Sequence, residues 1–306
     1  MSSSETIDPG LAAVLSDEVP ARAPRTPDFD LDVLPAPPSG WRLFIKRVDP
    51  PVQLARLGLL VAILLVWHYA VEQEWVDRIF SATPKEVLDG FVDVVSTQLF
   101  WEDFWVTLRE AVLGFVIGGG LGLLVGLFVG RYERIGKIFG PFLTLANSLP
   151  KIAFAPIFLL WFGVGEMSKI VLAAVVVFFI VQVPTQAAVG LVEPDLRVVA
   201  DSMNANEFQK FTKIILPGIL PTVFGAFRLA AIFSLLSVVF AEILGARRGL
   251  GLRLITAKNN FNIGEMFAYT LILGLMALTL NGVIGLIERR ALRWQARGGS
   301  GAVISI

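Results

Sequence analysis

Six stretches of this chain, near residues 52–71, 106–130, 140–162, 168–190, 218–244 and 266–288, are apolar over some twenty residues. That is the length an α-helix needs to cross the hydrocarbon core of a bilayer. In lipid the backbone must satisfy its own donors and acceptors, which leaves helices or a closed barrel. Continuous apolar runs of this length predict helices, so the expected fold class is an all-α integral membrane protein of about six transmembrane helices. Composition agrees: 55% of the residues are hydrophobic and only 17% are charged, against roughly 25% charged in soluble domains. Six spans place both termini on one side of the membrane.

The side chains present exclude much chemistry. There is no cysteine, and His68 is the single histidine, so thiolate metal sites, cysteine nucleophiles and most zinc or Ser-His sites are ruled out. The 26 Lys+Arg balance the 26 Asp+Glu, so no basic footprint for a nucleic-acid partner is expected. His68 lies between Trp67 and Tyr69 at the end of the first span, where an aromatic belt at the membrane interface is a better reading than a ligand.

Charge along the chain gives organisation and orientation. Residues 1–40 are acidic and rich in proline, and cannot bury enough apolar surface to offset the entropy of ordering. They are expected to be a disordered tail, with no apolar run long enough for a signal-peptide core. Residues 41–105 then hold the first span, preceded by Arg42, Lys46, Arg47 and Arg56, and an amphipathic segment, 84–100, expected to lie on the surface. Residues 106–290 form the core, and 291–306 a C-terminal tail. Short basic pieces (Arg131, Arg134 and Lys137; Arg289, Arg290, Arg293 and Arg297) alternate with the acidic stretch 72–103. The positive-inside rule therefore puts both termini in the cytoplasm. Loop 245–265, with Arg247, Arg248, Arg253 and Lys258, runs against that assignment and is outweighed by the other regions.

Within the second span Gly114, Gly118, Gly122, Gly126 and Gly130 recur every four residues. Glycine at that spacing makes a groove into which a neighbouring helix backbone can settle. The plain reading is helix packing inside one subunit; a role in moving between two conformations is the other. Ionisable groups inside spans are costly and point to function by default. Lys151 follows Pro150 in the third span, where a broken helix could line a cavity and supply the positive wall of an anion path. Alternatively the span begins later and Lys151 sits at the interface. Arg228 lies eleven residues past Pro217, either facing an anion or pairing with a carboxylate, and Glu242 lies at the far mouth of the fifth span, as a gate or a partner of Arg247 or Arg248. Asn147 and Gln182 are weaker candidates, expected to bridge helices.

Between the fourth and fifth spans a polar stretch, 191–217, is long enough to be a docking site for a soluble partner. Its register is Val198-Val199-Ala200, then Asn204, then Ile214, Leu216 and Pro217. This resembles the permease subunits of bacterial ABC importers, whose signature is EAA, three residues, Gly, nine residues, then Ile-x-Leu-Pro. Val198 stands where the family has Glu, and Asn204 where it has Gly, a residue type that tolerates a left-handed turn. Ser148 to Ile170 (SLPKIAFAPIFLLWFGVGEMSKI) and Ala241 to Leu252 (AEILGARRGLGL) are similar to the nitrate, sulfonate and taurine branch of those permeases.

The resemblance implies a type I importer permease fold with cytoplasmic coupling helices, in the bacterial inner membrane. It implies a second copy of this permease, two cytoplasmic ATPase subunits and an external substrate-binding protein that delivers a small anion. The coupling residues it implies are Ala200, Asp201, Asn204, Ala205, Asn206, Phe208, Lys213, Ile214, Leu216 and Pro217; Lys151, Arg228 and Glu242, read above from their place inside spans, are the candidates along the path or its gate. No G-x-x-x-x-G-K-[ST] phosphate loop occurs in the chain, and Gly163 to Lys169 only approaches it. ATP and Mg are therefore expected in the partner, and no cofactor in this chain. A stand-alone secondary transporter or channel is the alternative, although no repeat of three plus three spans is visible; a membrane scaffold without transport is a third reading.

Overall fold

The computed structural model describes residues 50–77, 79–191 and 202–294, and among them there is no strand. The chain divides into two compact units, Met1–Val61 and Ala62–Ile306. The first apolar run forms α1 (Pro50–Glu72), whose later turns lie in the second unit, where Trp67 packs on Phe267. His68 faces Glu72 at 3.3 Å. The expected tail, 1–40, lies outside the described residues.

The amphipathic segment is a helix, α2 (Pro84–Ser96), started by a capping box between Thr83 and Glu86 with Pro84 in its first turn. Its buried positions, Val87, Gly90 and Val94, follow the helical period. Thr97 then caps α3 (Gln98–Arg131), a helix of 34 residues that begins well before the span read from hydropathy. At 1.5 Å per residue α3 is about 50 Å long, against a hydrocarbon core of about 30 Å, so it carries polar residues past the apolar zone.

The third apolar stretch, expected over 140–162 with a break at Pro150, is not one continuous helix. It consists of α4 (Glu133–Ser148), a 3-10 turn (Lys151–Phe154) and α5 (Ala155–Phe162), bent by 78° at the break. The cause is local: Pro150 forces Leu149 out of the helical region, to φ −72° and ψ 140°. The chain continues through α6 (Glu166–Gly190), the short α7 (Glu207–Lys210), a π-helical turn (Phe211–Ile215) and α8 (Leu216–Leu244). It ends with α9 (Leu250–Asn259) and α10 (Ile263–Ala291).

The glycines of α3 face α6. A Cβ at Gly118 would lie 2.2 Å from the carbonyl oxygen of Ala174, and one at Gly122 2.5 Å from that of Phe178. Gly126 and Gly130 meet Gln182 and Gln186 in the same way, and Gly114 meets Ala173. The two backbones are therefore in direct contact over four turns, a packing only glycine permits. α8 closes a three-helix core against this pair: Val177 and Val181 pack on Ala230 and Phe227, and Val189 on Ile215, Ile219 and Val223. Ser234 Oγ donates to the carbonyl of Ala111 at 2.6 Å, tying α8 to α3 as well. α10 buries Ala268, Tyr269, Ile272 and Met276, the last three in one cluster with Ala111 of α3, Ala173 of α6 and Leu235 and Val238 of α8.

Gly118→Ala or Gly122→Ala should each cost about 1–3 kcal/mol, the range for an overpacked core, and lower the melting temperature of the detergent-solubilised protein. Gly120 provides the control, since a methyl group added there would have no neighbour within 4 Å. Gly120→Ala should leave the melting temperature unchanged or raise it, as expected from helix propensity alone. Equal losses at the three positions would contradict the packing.

Candidate functional site

The polar stretch before α8 is described from Ser202 onward, so Val198, Val199, Ala200 and Asp201 lie outside the described residues. Asn204 adopts φ 53°, in the left-handed region. This is the conformation for which glycine is the default and Asn a tolerated substitute. Two residues on, the side chain of Asn206 accepts from Gln209 N at 2.8 Å while Gln209 Oε1 accepts from Asn206 N at 3.0 Å, a capping box that starts α7. Met203 and Phe208 are 77% and 74% exposed on either side of this turn. Asn204, Asn206 and Lys213 are exposed, while Ala205, Ile214, Leu216 and Pro217 are half-buried.

Two features join this turn to the core. α7 runs through the π-helical turn into α8 without a break, and Pro217, which has no N–H to donate back into that turn, stands just after it. Ile215 is buried against Val189, so the junction is anchored on α6. Glu207 in addition pairs with Arg131, the last residue of α3, and with Lys210. The turn is thereby joined to α8 directly and to α3 through an ion pair.

Lys151 stands at the break between α4 and α5. Its ammonium donates to the carbonyl of Asn147 and, at 3.5 Å, to that of Leu149, and lies 4.8 Å from the centre of the Phe179 ring. It lines an open cavity of about 600 Å³ between the break, α6 and α8. Arg228 does not reach this cavity's lining; it pairs with Glu288 of α10 at 2.6 Å, with Gly285 leaving room for the guanidinium. Gln182 bonds within its own helix, to Gln186, rather than across helices as expected.

Glu242 has different neighbours from those expected of its place in the sequence. It is fully buried and meets neither Arg247 nor Arg248; Arg248 pairs with Glu102 instead. Glu242 Oε1 accepts from Thr107 Oγ at 2.7 Å and Oε2 from Gly251 N at 2.6 Å. Thr107 in turn accepts from Leu250 N, and Asp103 from Gly249 N and the Arg253 guanidinium. The first N–H groups of a helix lack carbonyl partners, and three side chains from α3 and α8 supply them for α9. Gly249, at φ 127°, is required here, since its Cβ would fall 2.1 Å from Glu242 Oε1. Glu242 is thus a buried capping carboxylate, placed where negative charge suits a helix start.

One turn further along α3, Glu110 pairs with Lys169 of α6 at 2.7 Å, with side-chain exposures of 0% and 2%. Sequence reasoning missed this pair, although Asp103, Thr107, Glu110 and Gly114 share one face by their spacing and Glu110 lies inside an apolar run. Breaking a buried pair by removing one partner leaves an uncompensated charge and costs about 3–5 kcal/mol. Lys169→Met should therefore lower thermal stability sharply, and Lys169→Met combined with Glu110→Gln should recover most of the loss. A double variant as unstable as the single one would contradict the pairing.

The family described as binding-protein-dependent transport system inner membrane component matches residues 118–293. A Bacillus subtilis protein assigned to aliphatic sulfonates transport as a permease is 29% identical, covering 78% of this chain and 87% of its own length. The taurine transport system permease protein of Escherichia coli is 27% identical, over 83% and 93%. The riboflavin transport system permease protein of Chloroflexus aurantiacus is 28% identical, over 82% and 97%. Among solved structures, a chain of the inward-facing MetNI methionine ABC transporter aligns with TM-score 0.56 at 19% identity, covering 63% of this chain and 95% of that one. A chain of a bacterial ABC transporter importing alginate aligns with TM-score 0.54 at 18% identity, over 81% and 99%. These likenesses establish the fold, and the family match spans more than half of the sequence. The chain is a multi-pass membrane protein that belongs to the binding-protein-dependent transport system inner membrane components, the permease subunits of ABC importers.

Proposed function

We propose that this chain is one of two permease subunits through which a small organic anion, delivered by an external binding protein, enters the cell. Two ATPase subunits that bind ATP and Mg each seat one 197–213 segment, and both termini of the permease face the cytoplasm. The observation that carries this reading is the turn from Asn204 to Phe208: it is exposed, held in a defined shape by the Asn206 capping box, and continuous with α8. Such a turn presents apolar side chains, Met203 and Phe208, on a polar frame. That matches the anatomy of a protein interface, an apolar core with a polar rim.

The relatives support a substrate class. Their names cover aliphatic sulfonates, taurine and riboflavin, and the two sulfonate names favour a sulfonate-like anion. Coupling works by differential contact: the closed ATPase pair binds the turns in one permease conformation better than in the other, and shifts the population accordingly.

In the complex reconstituted with its ATPase, Phe208→Asp should reduce co-purifying ATPase and lower substrate-stimulated ATP hydrolysis at least tenfold, as expected for a charge placed at an interface core. Asn206→Asp, which keeps a capping oxygen, should retain the fold of the turn and most of the activity. Undiminished coupling in Phe208→Asp, or ion-gradient uptake by the permease alone, would contradict the docking assignment and favour a stand-alone carrier.

A further inference from the structure

Lys169, which is buried, and Arg228, whose side chain is 43% exposed, each have a carboxylate within 2.7 Å. Lys151 has none within 4.0 Å among the described residues: its contacts are two backbone carbonyls and the face of Phe179. An ammonium carries three donors, so one remains for a ligand, and the neutral contacts leave the charge itself without a counter-ion. A lysine with no fixed counter-ion, beside an open cavity at a helix break, is free to meet an anion that comes and goes.

The cavity fits a ligand rather than a single water. Its volume of about 600 Å³ lies in the range of small-molecule sites, about 300–1,000 Å³. Away from Lys151 and Asn147 its walls are apolar: Ile152 from the break, Val176, Ile180 and Val183 from α6, Leu229 and Phe233 from α8. An inorganic oxyanion would need donors around its whole surface, and these walls offer none. One positive charge facing apolar walls suits one negative charge carried on an apolar body.

We infer that the cavity between Lys151 and Phe179, Val183 and Phe233 is a ligand site within the membrane, selective for a monovalent anion with an aliphatic or aromatic body. Lys151 binds the anionic head, and the α6 and α8 side chains take up the body. This rests on the import reading, and adds a selectivity filter after the binding protein. The site is built from both arms of the 78° bend and from α6 and α8, the second of which continues directly from the 204–210 turn. A change in the bend therefore changes its affinity.

The test uses the full permease–ATPase complex in nanodiscs, without nucleotide or binding protein, and equilibrium dialysis of labelled butanesulfonate against labelled nitrate, with butanol as the uncharged control for partitioning. Butanesulfonate should bind saturably, nitrate at least tenfold more weakly, and butanol without saturation. Lys151→Gln should weaken butanesulfonate binding at least tenfold, Lys151→Arg by less than threefold, and Val183→Trp, which fills the cavity, should abolish it. The ATPase should co-purify with each variant in the native ratio, which shows that the complex is folded and docked. No saturable binding in the native complex, equal binding of nitrate, or unchanged binding in Lys151→Gln would overturn the site. Loss of ATP hydrolysis or of the ATPase itself from the native complex would instead count against the import reading, leaving the binding result to stand by itself.

Discussion

Direct backbone contact between α3 and α6 is the constraint on which the other features hang. Lipid removes the hydrophobic drive between apolar helices, so association depends on close van der Waals approach and on polar bonds between helices. Gly118 and Gly122 allow Ala174 and Phe178 to come within a distance no side chain would tolerate. At that separation Lys169 of α6 can reach Glu110 of α3, and α8 can lie against both helices at once. α3 also runs the length of the core. Its first turns hold the start of α9 through Asp103 and Thr107, and its last residue, Arg131, meets Glu207 in the 204–210 turn. That turn and the capped α9 are therefore joined to opposite ends of α3.

Seen electrostatically, the interior is a set of answered charges. Glu110 has Lys169, Arg228 has Glu288, Asp103 has Arg253, and Glu242 has a hydroxyl and a backbone N–H. Each pair or cap joins two separate elements, so these groups specify which helices meet as well as stabilise the contact. Lys151 is built differently, with carbonyls and a ring in place of a carboxylate. A fixed counter-ion would compete with any passing anion, and its lack is what separates a ligand site from a structural pair.

Much of the fold is legible in the chain. Long apolar runs mark the spans because hydrophobic length is set by the bilayer. The four-residue glycine repeat marks the packed face, and Asn204 sits at a left-handed turn at the spacing the importer resemblance requires. Pro150 marks the break between α4 and α5 as well, although hydropathy, averaged over a window, runs the two into one apolar stretch. Other features resist reading because they depend on neighbours remote in sequence. Proximity in sequence puts Glu242 with Arg247 and Arg248, whereas its partner Thr107 is 135 residues away. Lys169 lies at the margin of a predicted span, where a charge attracts no notice, yet the fold brings it to Glu110 inside the core.

An organic anion should cross through this chain only when a partner hydrolyses ATP, and uptake into liposomes tests that claim most directly. The purified permease would be reconstituted with its ATPase and binding protein, and labelled butanesulfonate followed with ATP, with a non-hydrolysable analogue, and with an imposed proton or sodium gradient alone. Accumulation is predicted with ATP and the binding protein together, and none under the other conditions. Accumulation driven by an ion gradient, with no dependence on ATP, would contradict the importer mechanism.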